Sequence, residues 1–340
     1  MQRLTLAKQE IDQITGLITE IKQRFRDTEN QEFLDEVGLY AHQLPYRVRR
    51  HMVRFKLGHF PEGLCCLSGF AIDDEKLGAT PSHWLDRSDE VSTLEERILL
   101  FMCASLLGEV FGWSTQQNGH IIHDVFPIKQ YEHEQLGFSS KEPLTWHTED
   151  AFHDYRPDYL ALMCLRNPDS VGTYCGKPDY ASLTDEQRSY LFGQHYTIKP
   201  DNSHLSVNNF HSDTQSAAEL ETSFRDIEQM VSAPKKLSVL FGHPDDPYLR
   251  IDPYFMARAE DPKAQEALEA LIRLIDDSYR EYPLQQGDIV MINNLRVVHG
   301  RRSFAARYDG TDRWLKRLLI SRDLGKSRDR RAHDYSRIIA

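Results

Sequence analysis

An α+β fold, with a distorted double-stranded β-helix (jelly-roll) core and flanking helices, is predicted by three features of this 340-residue sequence. Apolar residues recur at helical spacing early in the chain. From about Ile121 short apolar runs alternate with turn residues. A single long amphipathic segment, about Ala264–Tyr282, interrupts those runs.

The elements follow in order. Ile11, Ile14, Leu17, Ile18, Ile21 and Phe25 share one helical face. A second helix is expected from near Pro45, carrying Val48, Met52 and Phe55, because proline is tolerated in a first turn. Leu64–Phe70 reads as a short buried strand and Glu95–Phe111 as a buried helix. Strands are then expected at Ile121–Phe126, Tyr159–Leu165, Leu237–Phe241, Ile289–Asn293 and Trp314–Ile320. The Ala264–Tyr282 helix presents Ala267, Leu268, Leu271, Ile272, Leu274 and Ile275 on a broad apolar face. This organisation predicts one domain, with 1–115 a mainly helical elaboration, 116–323 the core with lid insertions and 324–340 a charged surface tail.

Composition narrows the function. A hydrophobic fraction of 40% supplies a large core, and a net charge of −11 argues against a nucleic-acid-binding surface. The first twenty residues lack the apolar core of a signal peptide, and no run of about 18 apolar residues suits a membrane span. Five cysteines, Cys65, Cys66, Cys103, Cys164 and Cys175, without paired spacing suggest reduced, buried thiols in a cytoplasmic protein. None of these features fixes an oligomeric state.

The chemistry centres on Trp146-His147-Thr148-Glu149-Asp150. On a strand, residues i and i+2 point to the same face, so His147 and Glu149 can converge on one metal ion. His299, following the apolar run Ile289–Asn293, is the best candidate for a third ligand. Two imidazoles and one carboxylate leave positions open, as in non-haem iron(II) oxygenases, and those positions admit a bidentate 2-oxo acid and dioxygen. Spacing alone is weak, since His211-Ser212-Asp213 and His243-Pro244-Asp245 share the His-x-Asp/Glu form. Only the first is flanked by an aromatic residue and followed by a strand-like run. The distal carboxylate of 2-oxoglutarate needs a buried cation, for which the planar fork of arginine is suited. Arg313 and Arg317 share a face of the last strand, roughly 13 Å apart, and fit two separate anions.

These residues carry a resemblance. Trp146–Phe152, Leu165-Arg166-Asn167-Pro168-Asp169, His299-Gly300-Arg301 and Arg307–Trp314 resemble the clavaminate synthase-like oxygenases. Within that family the likeness is closest to the viomycin-type arginine hydroxylases of peptide-antibiotic pathways. It extends from about Phe33 to Ser327 and includes His42-Gln43-Leu44-Pro45, Thr80–Trp84 and Phe111–Gln117. The resemblance implies iron(II) on His147, Glu149 and His299, with 2-oxoglutarate and dioxygen as co-substrates. It implies Arg313 on the distal carboxylate with Thr173 as helper, and Arg317 on the carboxylate of a small basic amino acid. Gln116 and Glu149 would face the α-amino group, and Ser203 would line the pocket. In the arginine enzymes two aspartates, two residues apart, grip the guanidinium. Here Asp252 matches the first and Tyr254 replaces the second, while Gly137 stands where serine is expected.

The implied activity is hydroxylation of a side-chain carbon, at C3, of a free basic amino acid, foremost L-arginine. Enduracididine or lysine as substrate, or desaturation of arginine, are alternatives. A zinc hydrolase gives Arg313 no task and no H-E-x-x-H run is present; a non-catalytic binding protein on the same fold is the remaining reading. His120, His123 and His153 are expected to be supporting or surface groups; Arg301-Arg302 reads as a solvated basic patch, with a supporting role open to it beside His299. Segments 202–223 and 252–261 are candidate lids.

Overall fold

The computed structural model describes residues 1–86, 91–209 and 216–340. A short strand β1 (Gln2–Thr5) precedes helix α1 (Lys8–Arg24), which buries Ile14, Leu17, Ile18 and Ile21. Helix α2 (Gln31–Ala41) starts at Asn30, whose side chain accepts from the Glu32 N–H. Helix α3 (Tyr46–Lys56) buries Val48, Met52 and Phe55, with Pro45 at its cap. Strand β2 (Leu64–Ser68), the one-turn α4 (Asp74–Leu77) and the buried α5 (Leu94–Ser105) follow.

The helix expected to reach Phe111 stops at Ser105, and Glu109–Trp113 is strand β3. A Cβ on Gly108 would lie 2.2 Å from the Ser321 carbonyl, so this residue lets the chain pass hard against a later strand. Apolar residues dominate on both sides of Gly108-Glu109 and hide the switch, because helix and strand are both buried there.

The remaining strands complete two sheets and add a separate two-stranded hairpin. They are β4 (His123–Val125), β5 (Leu144–His147), β6 (Tyr159–Arg166) and β7 (Gly172–Gly176). Helices α6 (Asp185–Phe192) and α7 (Ala217–Ser232) lead to a hairpin of β8 (Leu240–His243) and β9 (Asp246–Leu249). Helix α8 (Pro262–Ser278) then gives way to β10 (Arg280–Pro283). The sequence placed residues 280–282 in the helix; they pair instead with β7, Tyr282 opposite Thr173. Leu237 makes only an isolated bridge to Tyr196, so the strand expected at 237–241 begins at Leu240. Strands β11 (Ile289–Asn293), β12 (Val298–Arg301), β13 (Trp314–Ser321) and β14 (Ile338–Ile339) complete the chain.

The larger sheet runs β1-β2-β11-β6-β13-β3-β14, with β4 also on β13; the smaller runs β10-β7-β12-β5. On β6, Tyr159, Ala161, Met163 and Leu165 face the core shared with α1, α2, α3 and α5, while Leu160, Leu162 and Cys164 face the other way. Both faces are buried, which explains why these strands read as continuous apolar runs. Leu160, Leu162, Leu315 and Arg317 of the larger sheet and Thr173, His299 and Arg301 of the smaller line one cavity between them. The architecture is α+β.

All five cysteines are buried and free, and burial pushes the Cys103 thiol up to about 12. The C-terminal segment is not a surface extension. β14 pairs in parallel with β3, Ile339 is fully buried, and buried Arg331 donates to the carbonyls of Asp334 and Ser336. Among the described residues no helix is long and apolar enough to cross a membrane.

Candidate active site

His147 and His299 face each other across adjacent strands: they are direct register partners of β5 and β12, with ring centroids 4.6 Å apart. The register shifts immediately beyond, between His299 and Arg301, a bulge of the kind that re-aims side chains. Gly300 allows the close approach, since a Cβ there would lie 2.6 Å from the Leu144 carbonyl. Glu149 is not on the strand, contrary to expectation; β5 ends at His147 and Glu149 sits in the turn beyond. Buried Asn294 pins that turn, accepting from the Glu149 N–H at 2.7 Å and donating to the Glu149 carbonyl at 3.1 Å. Asp150 adopts φ +49°, held by Trp113 Nε1–H at 2.7 Å and His204 Nε2 at 3.1 Å.

The turn brings Glu149 Oε2 to 3.0 Å from His299 Nε2 and 3.7 Å from His147 Nε2. His147 Nδ1–H donates to the Thr145 carbonyl at 2.8 Å, so Nε2 is the nitrogen left to face the carboxylate or a metal ion. The three side chains form a group able to hold a metal ion. The electrostatics fit a cation. Burial alone would raise the Glu149 carboxyl and lower the His147 imidazole, yet the charges prevail. Arg317 and the imidazoles hold Glu149 well below the usual carboxylate range. Glu149 and Asp252 push His147 up to about 9. Two nitrogens and one oxygen at a site that favours positive charge suit a divalent transition metal. The second Glu149 oxygen accepts from Arg317 Nη1.

Arg313 lines the same cavity, buried, with Nη2 at 3.3 Å from Thr173 Oγ1 and Nε without a partner among the described residues. Thr173 is the register partner of Arg301 on β12. Arg301, expected in a solvated patch, is buried and lines the same cavity. It donates to Ser139 Oγ at 2.8 Å and to the carbonyls of Arg302 and Glu142, all neutral acceptors. Burial, with the charge of Arg313 beside it, brings the Arg301 guanidinium down to about 9; burial takes Arg313 to about 10. Two buried guanidiniums, neither paired with a carboxylate among the described residues, form a site for an anion.

The lining also holds acidic groups. Asp252 and Asp201 both line the cavity, and burial, opposed by His147 and reinforced by Asp201, raises the Asp252 carboxyl to about 6. Thr148 fixes this wall to the ligand turn: its N–H donates to the Ile251 carbonyl at 2.9 Å and its Oγ1 accepts from the Ile251 N–H at 3.0 Å. Ser203 lines the cavity and donates to Asp201, and Tyr254 stands exposed at the rim. Gln116 lies one recess behind, donating to Ser203 Oγ at 2.6 Å and accepting from Arg317 Nη2 at 3.4 Å. The cavity spans about 970 Å³ of empty space, the open solvent at its mouth included.

Arg301 and Asp201 are two charged lining residues that sequence reasoning did not assign. Arg301 follows His299 at the i+2 spacing of a strand, which places both on one face. Asp201 precedes Ser203 by the same interval, but on short 3-10 turns whose geometry the sequence does not announce. His243 and Asp245 are exposed on the β8–β9 hairpin, far from ligand-like burial. His211-Ser212-Asp213, and with it part of the 202–223 segment, lies outside the described residues. His153 is buried against the Trp113 ring and half-buried His120 pairs with Glu29.

Comparison with known proteins agrees with this geometry. Residues 62–319 match the family described as taurine catabolism dioxygenase TauD, TfdA family. The chain is 42% identical to an enduracididine beta-hydroxylase of Streptomyces hygroscopicus, with all of both chains covered. It is 40% identical to an L-ornithine/L-arginine 3-hydroxylase of Catenulispora acidiphila, again over both full lengths. Among solved structures it resembles the non-heme iron oxygenase OrfP in complex with Fe, succinate and (3S)-hydroxy-L-Arg. That match has a TM-score of 0.94 and 41% identity, covering 100% of each chain.

Proposed function

We propose, from the premise that this chain belongs to the TauD/TfdA dioxygenase family, that it hydroxylates C3 of a free basic amino acid, foremost L-arginine. The enzyme is an iron(II)- and 2-oxoglutarate-dependent amino-acid oxygenase. Its two sheets are taken as the distorted jelly roll of that class, and its place of action as the cytoplasm.

One observation carries the substrate reading: one cavity is lined by two guanidiniums with no carboxylate partner among the described residues, by the carboxylates of Asp201 and Asp252, and by the metal-binding triad. A ligand complementary to such a cavity is anionic where it meets arginine and cationic where it meets Asp201 and Asp252. Two molecules share the space. Arg313 and Thr173 take the distal carboxylate of 2-oxoglutarate, and Arg301 supplies positive potential beside it. Arg317 takes the α-carboxylate of the amino acid, with Glu149, Gln116 and Ser203 near its amino group. Asp252 and Asp201 hold the basic end.

When bound on His147, Glu149 and His299, iron couples the oxidative decarboxylation of 2-oxoglutarate to oxidation of an unactivated C–H bond. The chain's own part is positioning. Asn294 and Asp150 fix the ligand turn, Thr148 couples it to the substrate wall, and the buried walls keep bulk water from the reacting carbon.

A second reading, enduracididine as substrate, is favoured by Tyr254. The phenol is exposed at the rim and brings no full charge where the arginine enzymes carry a second aspartate, so the basic end is held differently from that of plain arginine. The test is an anaerobically iron-loaded assay over arginine, enduracididine, ornithine and lysine, following succinate and product mass. Hydroxylation adds about 16 mass units and desaturation removes about 2. Failure of every basic amino acid to couple to succinate refutes the substrate reading.

A further inference from the structure

We propose that His123 is the positioning residue of Arg317, fixing which guanidinium N–H groups remain for the substrate carboxylate. The inference rests on the reading of Arg317 given above. His123 and Arg317 are direct cross-strand partners of β4 and β13. Arg317 Nη2 lies 2.6 Å from His123 Nδ1, and the imidazole is buried. On its other side, His123 Nε2 lies 2.9 Å from the His120 carbonyl.

These two contacts settle the tautomer. A carbonyl only accepts and a guanidinium only donates, so Nε2 carries the hydrogen and Nδ1 is bare. A cationic imidazole would place two donors against each other. The pair is therefore a neutral acceptor gripping a cation.

The grip is anchored from outside the site. Glu29 meets His120 Nδ1 at 3.0 Å and accepts from the Ile122 N–H at 3.1 Å, holding the loop that carries the His120 carbonyl. Gln117 bonds both the N–H and the carbonyl of Asp124, fixing the backbone of β4 next to His123. Arg317 thus has three fixed acceptors, Glu149 on Nη1 and Gln116 and His123 on Nη2. Its Nε–H has no partner among the described residues. Without His123 the guanidinium could turn about its own stem, and the α-carboxylate would no longer set the distance between C3 and the triad. Because productive geometry is sensitive to displacements of about 1 Å, such rotation degrades coupling as well as affinity.

The test uses the full-length, iron-loaded enzyme with L-arginine. His123→Leu removes the acceptor while keeping bulk. His123→Asn places an amide oxygen near the position of Nδ1. The Leu variant is expected to raise the arginine KM roughly 10- to 100-fold, leave the 2-oxoglutarate KM unchanged, and increase succinate formed without hydroxylated product. His123→Asn restores most of both. If His123→Leu does not fold, His123→Gln, whose amide extends towards the Nε2 position, takes its place. An arginine KM within twofold of wild type, or a failure of Asn to rescue, overturns the proposal. Arg317→Ala separates the two levels. If it leaves the arginine KM unchanged, the reading of Arg317 itself is wrong; if it raises KM while His123→Leu does not, only the role of His123 falls.

Discussion

Arg313 reaches Thr173 Oγ1 at 3.3 Å in the buried end of the cavity, and among the described residues no carboxylate meets its guanidinium. A buried cation with one neutral partner lacks its counter-charge until an anion binds. Replacing Arg313 by alanine is expected to raise the apparent KM for 2-oxoglutarate by roughly two orders of magnitude, the scale of a lost buried ion pair. Thr173→Val removes one hydrogen bond and costs about five- to tenfold. Succinate formation against 2-oxoglutarate concentration measures both, and an unaltered KM in Arg313→Ala rules out the assigned role.

The acidic wall acts on the other molecule. Asp252 lies behind the ligand turn through the Thr148–Ile251 hydrogen bonds, and Asp252→Asn removes a charge while keeping the shape. A hydrogen bond to a charged group is worth about 1.5–3 kcal/mol, so the arginine KM rises roughly 10- to 100-fold with 2-oxoglutarate affinity untouched. Tyr254 is exposed, and Tyr254→Phe changes the arginine KM by no more than about twofold, as surface substitutions generally do. Equal effects from the two variants contradict this division of the wall.

Metal dependence distinguishes an iron oxygenase from a zinc hydrolase. Chelation is expected to abolish succinate production, with iron(II) restoring it and zinc(II) not. Glu149→Ala loses the one oxygen ligand of the triad and also frees Arg317, so metal-induced thermal stabilisation disappears together with turnover. Zinc-restored hydrolysis of an amide or ester panel is the opposite outcome.

Much of this site was legible because its chemistry is written in residue types that have few other reasons to be buried. His147, Glu149, His299, Arg313 and Arg317 come from two distant stretches, and the strand period at 313–317 alone put the two arginines on one face. Tyr159–Leu165 and Ile289–Asn293 were readable because both faces are covered. Helices α6 and α7 were not recognised, although Thr184 with Gln187 and Ser216 with Glu219 form capping boxes that announce them. Strand β3 was hidden because mostly apolar residues run from the buried helix into it, with only Ser105 and Gly108-Glu109 between. Strand β7 is five residues long, with glycine at each end, and offers no period to read. Arg301 was misplaced for a different reason. An arginine pair usually marks solvent, and only the pairing of β12 with β7 and β5 shows which member turns inward.

The buried histidines give stability a predictable pH dependence. His153 packs edge-on against Trp113 at 4.5 Å, and its Nδ1 accepts from the Tyr155 N–H at 3.0 Å. Burial, followed by the charge of neighbouring His204, pushes its imidazole down to about 3. The unfolded chain protonates near the ordinary value of about 6.5. Between those values the unfolded state binds the extra proton, so the stabilisation is fully present above about pH 6.5. It is lost progressively as pH falls towards about 3. From pH 6.5 to pH 5 this single group accounts for about 2 kcal/mol. His153→Phe keeps an aromatic ring against Trp113 and removes the titration. Losing the Tyr155 hydrogen bond costs about 1 kcal/mol at every pH without changing the slope. Urea unfolding of the metal-free protein at pH 7 and pH 5 is therefore expected to show a smaller acid-induced loss in the variant. Parallel losses in the two proteins mean that His153 is not among the groups whose protonation opposes folding.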